Sequence, residues 1–212
     1  MKPEKRPFEL LESLLWTPAE GYFLLERHLA RLRRSAEFFG MVLGKMAVVE
    51  GLMTEAQLLT EPSKVRLTVN SDQWTVNSVP LLAGMGQLPE PIRIGLAAKP
   101  VQSDDMYLYH KTTYRDMYAE ALASRPDCDD VVLWNERGEV TEASSSNLVV
   151  QMGGVLWTPP LSSGLLAGTF REVLLENGRL QEKIIMKDEL LRADAIFLIN
   201  SVRRWRRAQF SL

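Results

Sequence analysis

Residues 131–160 read VVLWNERGEVTEASSSNLVVQMGGVLWTPP, and the reading of this stretch decides the fold. Its apolar runs are strand-length: residues 131–135, residues 147–151 and a third run ending at Pro159. Residues 136–138 and Gly153-Gly154 supply the turn chemistry between them. Downstream, residues 169–176 carry helical spacing and residues 195–199 form one more apolar strand; upstream, a helical segment lies around residues 113–123. Short strands alternating with helices predict an α/β pattern for this half of the chain.

Inside the same stretch, Thr141-Glu142-Ala143-Ser144-Ser145-Ser146-Asn147 places one carboxylate ahead of a run of small hydroxyl residues, between apolar strands. An anion removed from water there needs a cationic partner or a donor network, and a protonated ring nitrogen is one such partner. The plain alternative is a polar turn with an exposed glutamate.

Working outward, Lys111 lies within Tyr107-Leu108-Tyr109-His110-Lys111-Thr112-Thr113-Tyr114. In a continuous helix it shares the buried stripe with Tyr107, Tyr114, Tyr118 and Leu122. Desolvation among aromatic groups lowers an amine's pKa and makes a nucleophile of it. The alternative is a stem that covers aromatic surface while the amine reaches water. On the other side, Gly168-Thr169-Phe170-Arg171-Glu172 opens a helix whose N–H groups can serve a Thr169/Glu172 capping box or an external phosphate. Asn200-Ser201 ends the last apolar strand, where α/β sheets commonly face a ligand. Arg203-Arg204-Trp205-Arg206-Arg207 resembles a nucleic-acid patch in isolation, but with an acidic total it reads as a solvated or dimer-facing edge.

The N-terminal half is of another kind. Leu29, Leu32, Ala36 and Phe39 recur at helical spacing with Gly40 placed to end the helix, and a second periodic stretch covers residues 45–59. Val65, Leu67 and Val69 then alternate with polar residues and are followed by a turn and residues 74–79, a hairpin. A change of composition to Gly84, Gly86, Pro89 and Pro91 places a domain boundary near Gly86, with residues 1–86 as a small domain and 87–212 as a larger one.

The chain has 212 residues, enough to bury a substantial core as one large domain or two small ones. A formal charge of −2 gives no general attraction to nucleic acid. Cys128 is the single cysteine, which excludes an intrachain disulfide and suits a reducing compartment. His28 and His110 lack zinc-site spacing. With no apolar signal region and no run long enough to span a bilayer, the expectation is a cytoplasmic protein free of membrane. Gly-x-Ser-x-Gly, a Walker loop and the dinucleotide fingerprint are absent, which removes support from hydrolase and nucleotide-dependent readings.

Several motifs in order carry a resemblance over nearly the whole chain: Phe8-Glu9-Leu10-Leu11-Glu12-Ser13, His28-Leu29-Ala30-Arg31-Leu32, His110-Lys111-Thr112-Thr113, Trp134-Asn135-Glu136-Arg137-Gly138-Glu139-Val140-Thr141-Glu142, and Thr158-Pro159-Pro160-Leu161 with Gly164-Leu165-Leu166. Together they resemble the class IV, fold-type IV pyridoxal-phosphate enzymes. This family holds branched-chain and D-amino acid aminotransferases and 4-amino-4-deoxychorismate lyase, and the pattern is most similar to the lyase branch, including the C-terminal domain of fused para-aminobenzoate synthases. The resemblance implies a D-amino acid aminotransferase-like fold, with a small N-terminal α+β domain and a larger C-terminal α/β domain built on a partly barrel-like mixed sheet. It implies pyridoxal 5′-phosphate as a Schiff base on Lys111, which also moves protons, and Glu142 paired with the pyridine nitrogen. It implies a phosphate pocket made by Arg31, the N–H groups of Thr169 and Phe170, and Asn200 with Ser201, and Leu166 packed against the ring. A homodimer acting on a small-molecule substrate is the family norm.

The reaction implied is conversion of 4-amino-4-deoxychorismate to 4-aminobenzoate and pyruvate, serving folate synthesis. Amino-group transfer on D- or branched-chain amino acids is the alternative. The stretch after Lys111 reads Thr-Thr-Tyr-Arg where branched-chain enzymes often show Gly-Gly-Asn-Tyr, which favours the lyase. There are departures: Arg204 stands where lyase-like sequences usually have glycine, Ala167 replaces a common proline, and the usual first strand before Phe8 is short or missing. A third, non-enzymatic reading keeps the fold for cofactor storage or partner binding.

Overall fold

The computed structural model describes residues 7–42, 44–81 and 91–211. The chain divides into two units, one made by Met1–Leu82 with His110–Tyr114 and the other by Ala83–Tyr109 with Arg115–Leu212. The boundary expected near Gly86, and most of the chain before Phe8, lie outside the described residues.

The first unit contains β1 (Leu10–Thr17), β2 (Gly21–Tyr22), α1 (Leu25–Phe39), α2 (Lys45–Leu58), β3 (Ser63–Val69) and β4 (Trp74–Pro80). Its sheet is antiparallel in the order β2-β1-β3-β4, with β1 and β3 in register from Leu10↔Val69 to Trp16↔Ser63. β1 has no period-two signature because Leu10, Leu11, Leu14, Leu15 and Trp16 are all buried, so both of its faces are covered. Leu10, Leu14, Val65 and Leu67 form a core with Leu32 and Ala36 of α1 and with Val48 and Leu52 of α2. The buried stripe of α1 also carries His28, Arg31 and Ser35, so it is more polar than its apolar spacing implies. Gly40, at φ 67, ends the helix as expected and donates its N–H to Ala36 O and Glu37 O.

The second unit contains β5 (Ile92–Leu96), α3 (Met106–Tyr109), α4 (Asp116–Ala123), β6 (Asp130–Trp134), β7 (Val140–Ala143), β8 (Asn147–Met152), β9 (Val155–Thr158), α5 (Thr169–Glu176), β10 (Gln181–Glu182), α6 (Lys187–Leu190), β11 (Ala195–Asn200) and β12 (Arg204–Phe210). Its eight-stranded sheet runs β10-β9-β8-β11-β12-β5-β6-β7, and β7 also pairs with β8. That last pairing, Glu142↔Asn147, closes a ring at one end. β9 takes the same edge of β8 farther along, from Val150 to Met152, so the ring is barrel-like at the Glu142 end and splayed at the other. The sheet is mixed: β12, β5 and β6 run parallel, and the β11–β12, β11–β8 and β6–β7 pairs are antiparallel. One core gathers Ile94, Val132, Leu148, Val150, Ile196 and Leu198. Val131 and Leu133, on the alternate face of β6, pack with Leu108 and Tyr118.

The basic run has one paired side among the described residues: residues 204–207 pair antiparallel with β11, while the parallel pairing of β12 with β5 starts only at Ala208. Among the described residues no helix is long and apolar enough to cross a membrane, and no cluster of His, Cys, Asp and Glu is arranged to hold a metal ion.

Candidate active site

In the second unit the chemistry-bearing residues collect at the closed end of the ring. Glu142 is the third residue of β7 and is 4% exposed, which removes the reading of an exposed glutamate in a polar turn. The Tyr118 hydroxyl donates to its Oε1 at 2.8 Å, and the Asn147 amide Nδ2 approaches its Oε2 at 3.3 Å. Burial first, and then the carboxylate beside it, push the Tyr118 phenol well above its ordinary range, so the phenol keeps its proton and donates. The serines that follow bond to other groups at this end of the ring. They are themselves held in place: Asp130 Oδ1 accepts from Ser144 N at 3.1 Å, and Arg115 donates to Ser144 O. Asn200 Nδ2 reaches Ser145 O at 3.3 Å and Ser146 Oγ at 3.0 Å. Burial raises the Asp130 carboxyl even though it accepts these backbone hydrogen bonds.

Asn147 links this end to α5. Its Nδ2 also donates to Leu166 O at 2.9 Å, which fixes the loop carrying Leu166. Gly168 caps α5, and a Cβ there would lie 1.9 Å from Asn147 Oδ1, so the close approach requires glycine. With Gly168 at the N-cap there is no side-chain cap, and the predicted Thr169/Glu172 box does not hold the helix start in the expected register. Instead Arg171, 2% exposed, anchors the first turn by donating to Pro159 O at 2.8 Å and Glu182 Oε1 at 2.5 Å. Thr169 and Phe170 are buried, and a helix start of this kind favours an anion. Asn200 and Ser201 lie at the end of β11, where Asn200 Oδ1 accepts from Val202 N at 3.0 Å and Arg203 N at 2.7 Å. Five predicted residues (Glu142, Leu166, Thr169, Asn200 and Ser201) are thus tied, directly or through one residue, to Asn147 or to the serine turn.

Lys111 and Arg31 belong to the first unit. The continuous helix expected through Lys111 is not formed: α3 ends at Tyr109 and α4 starts at Asp116. Between them the chain is extended and pairs with the start of β1. Leu11 N donates to Lys111 O at 2.9 Å, Thr112 bridges to Leu10, and Thr113 N donates to Glu9 O at 2.8 Å. His110 stacks on Phe38 with ring centroids 4.2 Å apart, and its Nδ1 lies 3.0 Å from Ser35 Oγ. The half-buried Lys111 therefore has its backbone pinned on both sides. Arg31 makes a two-point contact with Glu12, Nε to Oε1 at 2.9 Å and Nη2 to Oε2 at 2.7 Å, and His28 Nδ1 lies 2.7 Å from the same Oε2. Burial alone raises the Glu12 carboxyl, but the Arg31 charge and the hydrogen bonds from Arg31 and His28 outweigh it and bring it down to about 2.

Reasoning from the sequence missed Glu12, Tyr118, Asp130 and Arg115. Glu12 sits in a motif already singled out, and its spacing to His28 and Arg31 carries no local signal. Tyr118 was placed on a stripe with Lys111 and in the structure serves Glu142.

The family model described as “Amino-transferase class IV” matches residues 9–209. A Schizosaccharomyces pombe protein named “Putative aminodeoxychorismate lyase” is 32% identical over 190 residues, which is 86% of this chain and 81% of that protein. A crystal structure of a “Putative amino-acid aminotransferase” from Mesorhizobium loti has a TM-score of 0.89 at 32% identity, covering 97% of this chain and 100% of that one. The 4-amino-4-deoxychorismate lyase of Pseudomonas aeruginosa shares the fold, with a TM-score of 0.78 at 23% identity over 95% of this chain and 82% of that one.

Proposed function

The chain belongs to the class IV aminotransferase family, and on that premise we propose that it is a pyridoxal 5′-phosphate lyase releasing 4-aminobenzoate and pyruvate from 4-amino-4-deoxychorismate. The similarity to the Schizosaccharomyces pombe protein carries the choice of reaction, and Thr112-Thr113-Tyr114 after Lys111 agrees with it. The cofactor is pyridoxal 5′-phosphate, whose protonated ring, when bound, draws electrons away from the carbon bearing the substrate amine.

The residues of the second unit fit that group. Glu142 is a buried carboxylate held in one orientation by a phenol and an amide, suited to a ring N–H. The start of α5 lacks a side-chain cap, so its N–H groups suit a dianionic phosphate; Ser201 would add to them, and Asn200, its amide engaged with Ser145 and Ser146, would shape the turn beside it. Leu166, with its backbone carbonyl fixed, would pack against the ring. From the first unit we assign Lys111 as the amine that binds the cofactor aldehyde and Arg31 as a cation serving the phosphate; both assignments rest on the family pattern.

In this reading the Lys111 amine takes the proton from the amine-bearing carbon and returns one to the departing enolpyruvyl group, while aromatisation of the ring drives the departure. No amino acceptor is consumed, and the protein works as a homodimer. Amino-group transfer is the second reading, favoured by the similarity to the Mesorhizobium loti structure.

The test is incubation of the holoenzyme with 4-amino-4-deoxychorismate and no keto acid. Pyruvate and 4-aminobenzoate should appear in equal amounts over many turnovers. A stop after one equivalent, with the cofactor left carrying the amine, would overturn the lyase. Lys111→Ala should abolish both turnover and the cofactor's visible band.

A further inference from the structure

Arg115 stands immediately before α4 and is its N-cap residue. Its carbonyl accepts from Tyr118 N at 3.1 Å and Ala119 N at 3.0 Å, so the first turn of the helix fixes where Tyr118 stands relative to it. Residues three apart on a helix are neighbours, and the Arg115 guanidinium turns back over the Tyr118 ring, with Cζ 4.2 Å from the ring centroid. The same guanidinium donates through Nη2 to Ser144 O. One cation of the second unit thus touches both α4 and the serine turn.

Those two contacts flank Glu142. Tyr118 carries the hydroxyl that donates to Glu142 Oε1 at 2.8 Å, and Ser144 lies two residues after Glu142. Ser144 is gripped at both of its backbone polar groups, its N–H by Asp130 Oδ1 at 3.1 Å and its carbonyl by Arg115. Asp130 is 4% exposed and also accepts from Val131 N at 2.8 Å, which fixes it to β6. The contacts close a loop: Glu142 to Tyr118, Tyr118 to Arg115, Arg115 to Ser144, and two residues of backbone back to Glu142. A flat guanidinium suits this place because it stacks on a phenol face and still directs N–H groups from its edge to a carbonyl. Joined in this way, the phenol is held on its acceptor and the group behaves as a unit.

We propose that Arg115 is a positioning residue: by stacking on Tyr118 and holding Ser144, it fixes the direction in which Glu142 presents its carboxylate to the cofactor ring. The proposal rests on the reading of Glu142 as the partner of the ring nitrogen. Arg115 acts through its two neighbours and not on the cofactor itself. A plain staple between α4 and the serine turn is the alternative, and it predicts a loss of stability alone.

Two measurements on the holoenzyme separate them. Arg115→Met keeps an apolar stem on the ring and removes the charge and the donors. The pH midpoint of the cofactor's visible band should move by about half a unit or more. With ring-labelled tyrosine, and the Tyr118 signals assigned through Tyr118→Phe, NMR should show Tyr118 ring flips about tenfold faster. Arg115→Lys keeps the charge and should show both changes in the same direction at smaller size, so it decides the matter if Arg115→Met does not fold. Leu52→Ala, a truncation in the core of the first unit, should lower stability and move neither readout. Lowered stability in Arg115→Met with both readouts unmoved overturns the proposal. Faster flips with an unmoved band, or a moved band with unchanged flips, also overturn it, because Arg115 then does not act on Glu142 through Tyr118. A wild type with no visible band sinks the reading of the closed end and the proposal together. A wild type that binds the cofactor but releases no pyruvate counts against the lyase alone.

Discussion

The two units each bury a glutamate and treat it differently. Glu12 in β1 faces a guanidinium and an imidazole supplied by one turn of α1, Arg31 and His28. Glu142 in β7 is met by a phenol from α4 and a carboxamide from β8, groups that orient a carboxylate without adding charge of their own. The first arrangement welds a strand to a helix. The second fixes the direction of a carboxylate at the point where the ring closes, and so fits a site that presents charge to a ligand. Burial by itself therefore does not distinguish the two carboxylates; the chemistry of these partners does.

Paired substitutions break or sharpen that contrast. Glu12→Gln leaves Arg31 buried against a neutral group and should lower unfolding free energy in urea by about 3 kcal/mol. Glu142→Gln should cost only about 1 kcal/mol of stability yet lower turnover about 100-fold. Equal losses of stability with activity kept in Glu142→Gln would mean that both clusters are structural. The acid limb gives a second reading of the Glu12 side. Its folded carboxyl lies at about 2, below the unfolded value, so its contribution is complete above about pH 4.3 and is lost as pH falls towards 2. Stability of the wild type should fall through that window, and that of Glu12→Gln should fall less.

A smaller effect tests the partners of Glu142. Tyr118→Phe keeps the ring among Leu108, Val131 and Leu133 and removes only the hydroxyl that donates to Oε1. It should cost about 1 kcal/mol of stability and about tenfold in turnover. If the hydroxyl positions Glu142, the pH dependence of the cofactor's visible band should shift as well. An unmoved band would reduce Tyr118 to a packing residue.

These partners also show where the sequence stops being informative. α1, β3, β8, α5 and β11 follow from periodicity because each has one face packed and one less covered, or is a plain apolar run. β1 and β12 do not: β1 is covered on both faces and lacks alternation, and β12 joins β11 along its basic residues but meets β5 only from Ala208 onward. The burial of Glu142 agrees with its place between apolar strands in the sequence. Tyr118 lies 24 residues away from it, and only the packing of α4 on β6 brings them together. The segment around Lys111 reads as helix locally, but its pairing with Glu9, Leu10 and Leu11, about a hundred residues away, overrides the local spacing.

The smallest predicted effect concerns a departure visible in the sequence, an arginine where glycine is usual. Arg204 sits at φ 57, the left-handed region that glycine enters freely and a side chain enters at a cost of about 1 kcal/mol or more. Arg204→Gly relieves that strain and gives back part of the gain through the looser unfolded chain, for a net stabilisation of about 0.5 kcal/mol in urea melts. The turn should keep its shape, since Asn200 caps it through the backbone of Val202 and Arg203 and not through the side chain of residue 204. If the variant instead loses stability, contacts of the Arg204 side chain outweigh the strain, and the ring end depends on that arginine as the first unit depends on Glu12. If it gains stability and keeps its turnover, the strain is incidental and the closed end of the ring works through the carboxylate and its neutral donors.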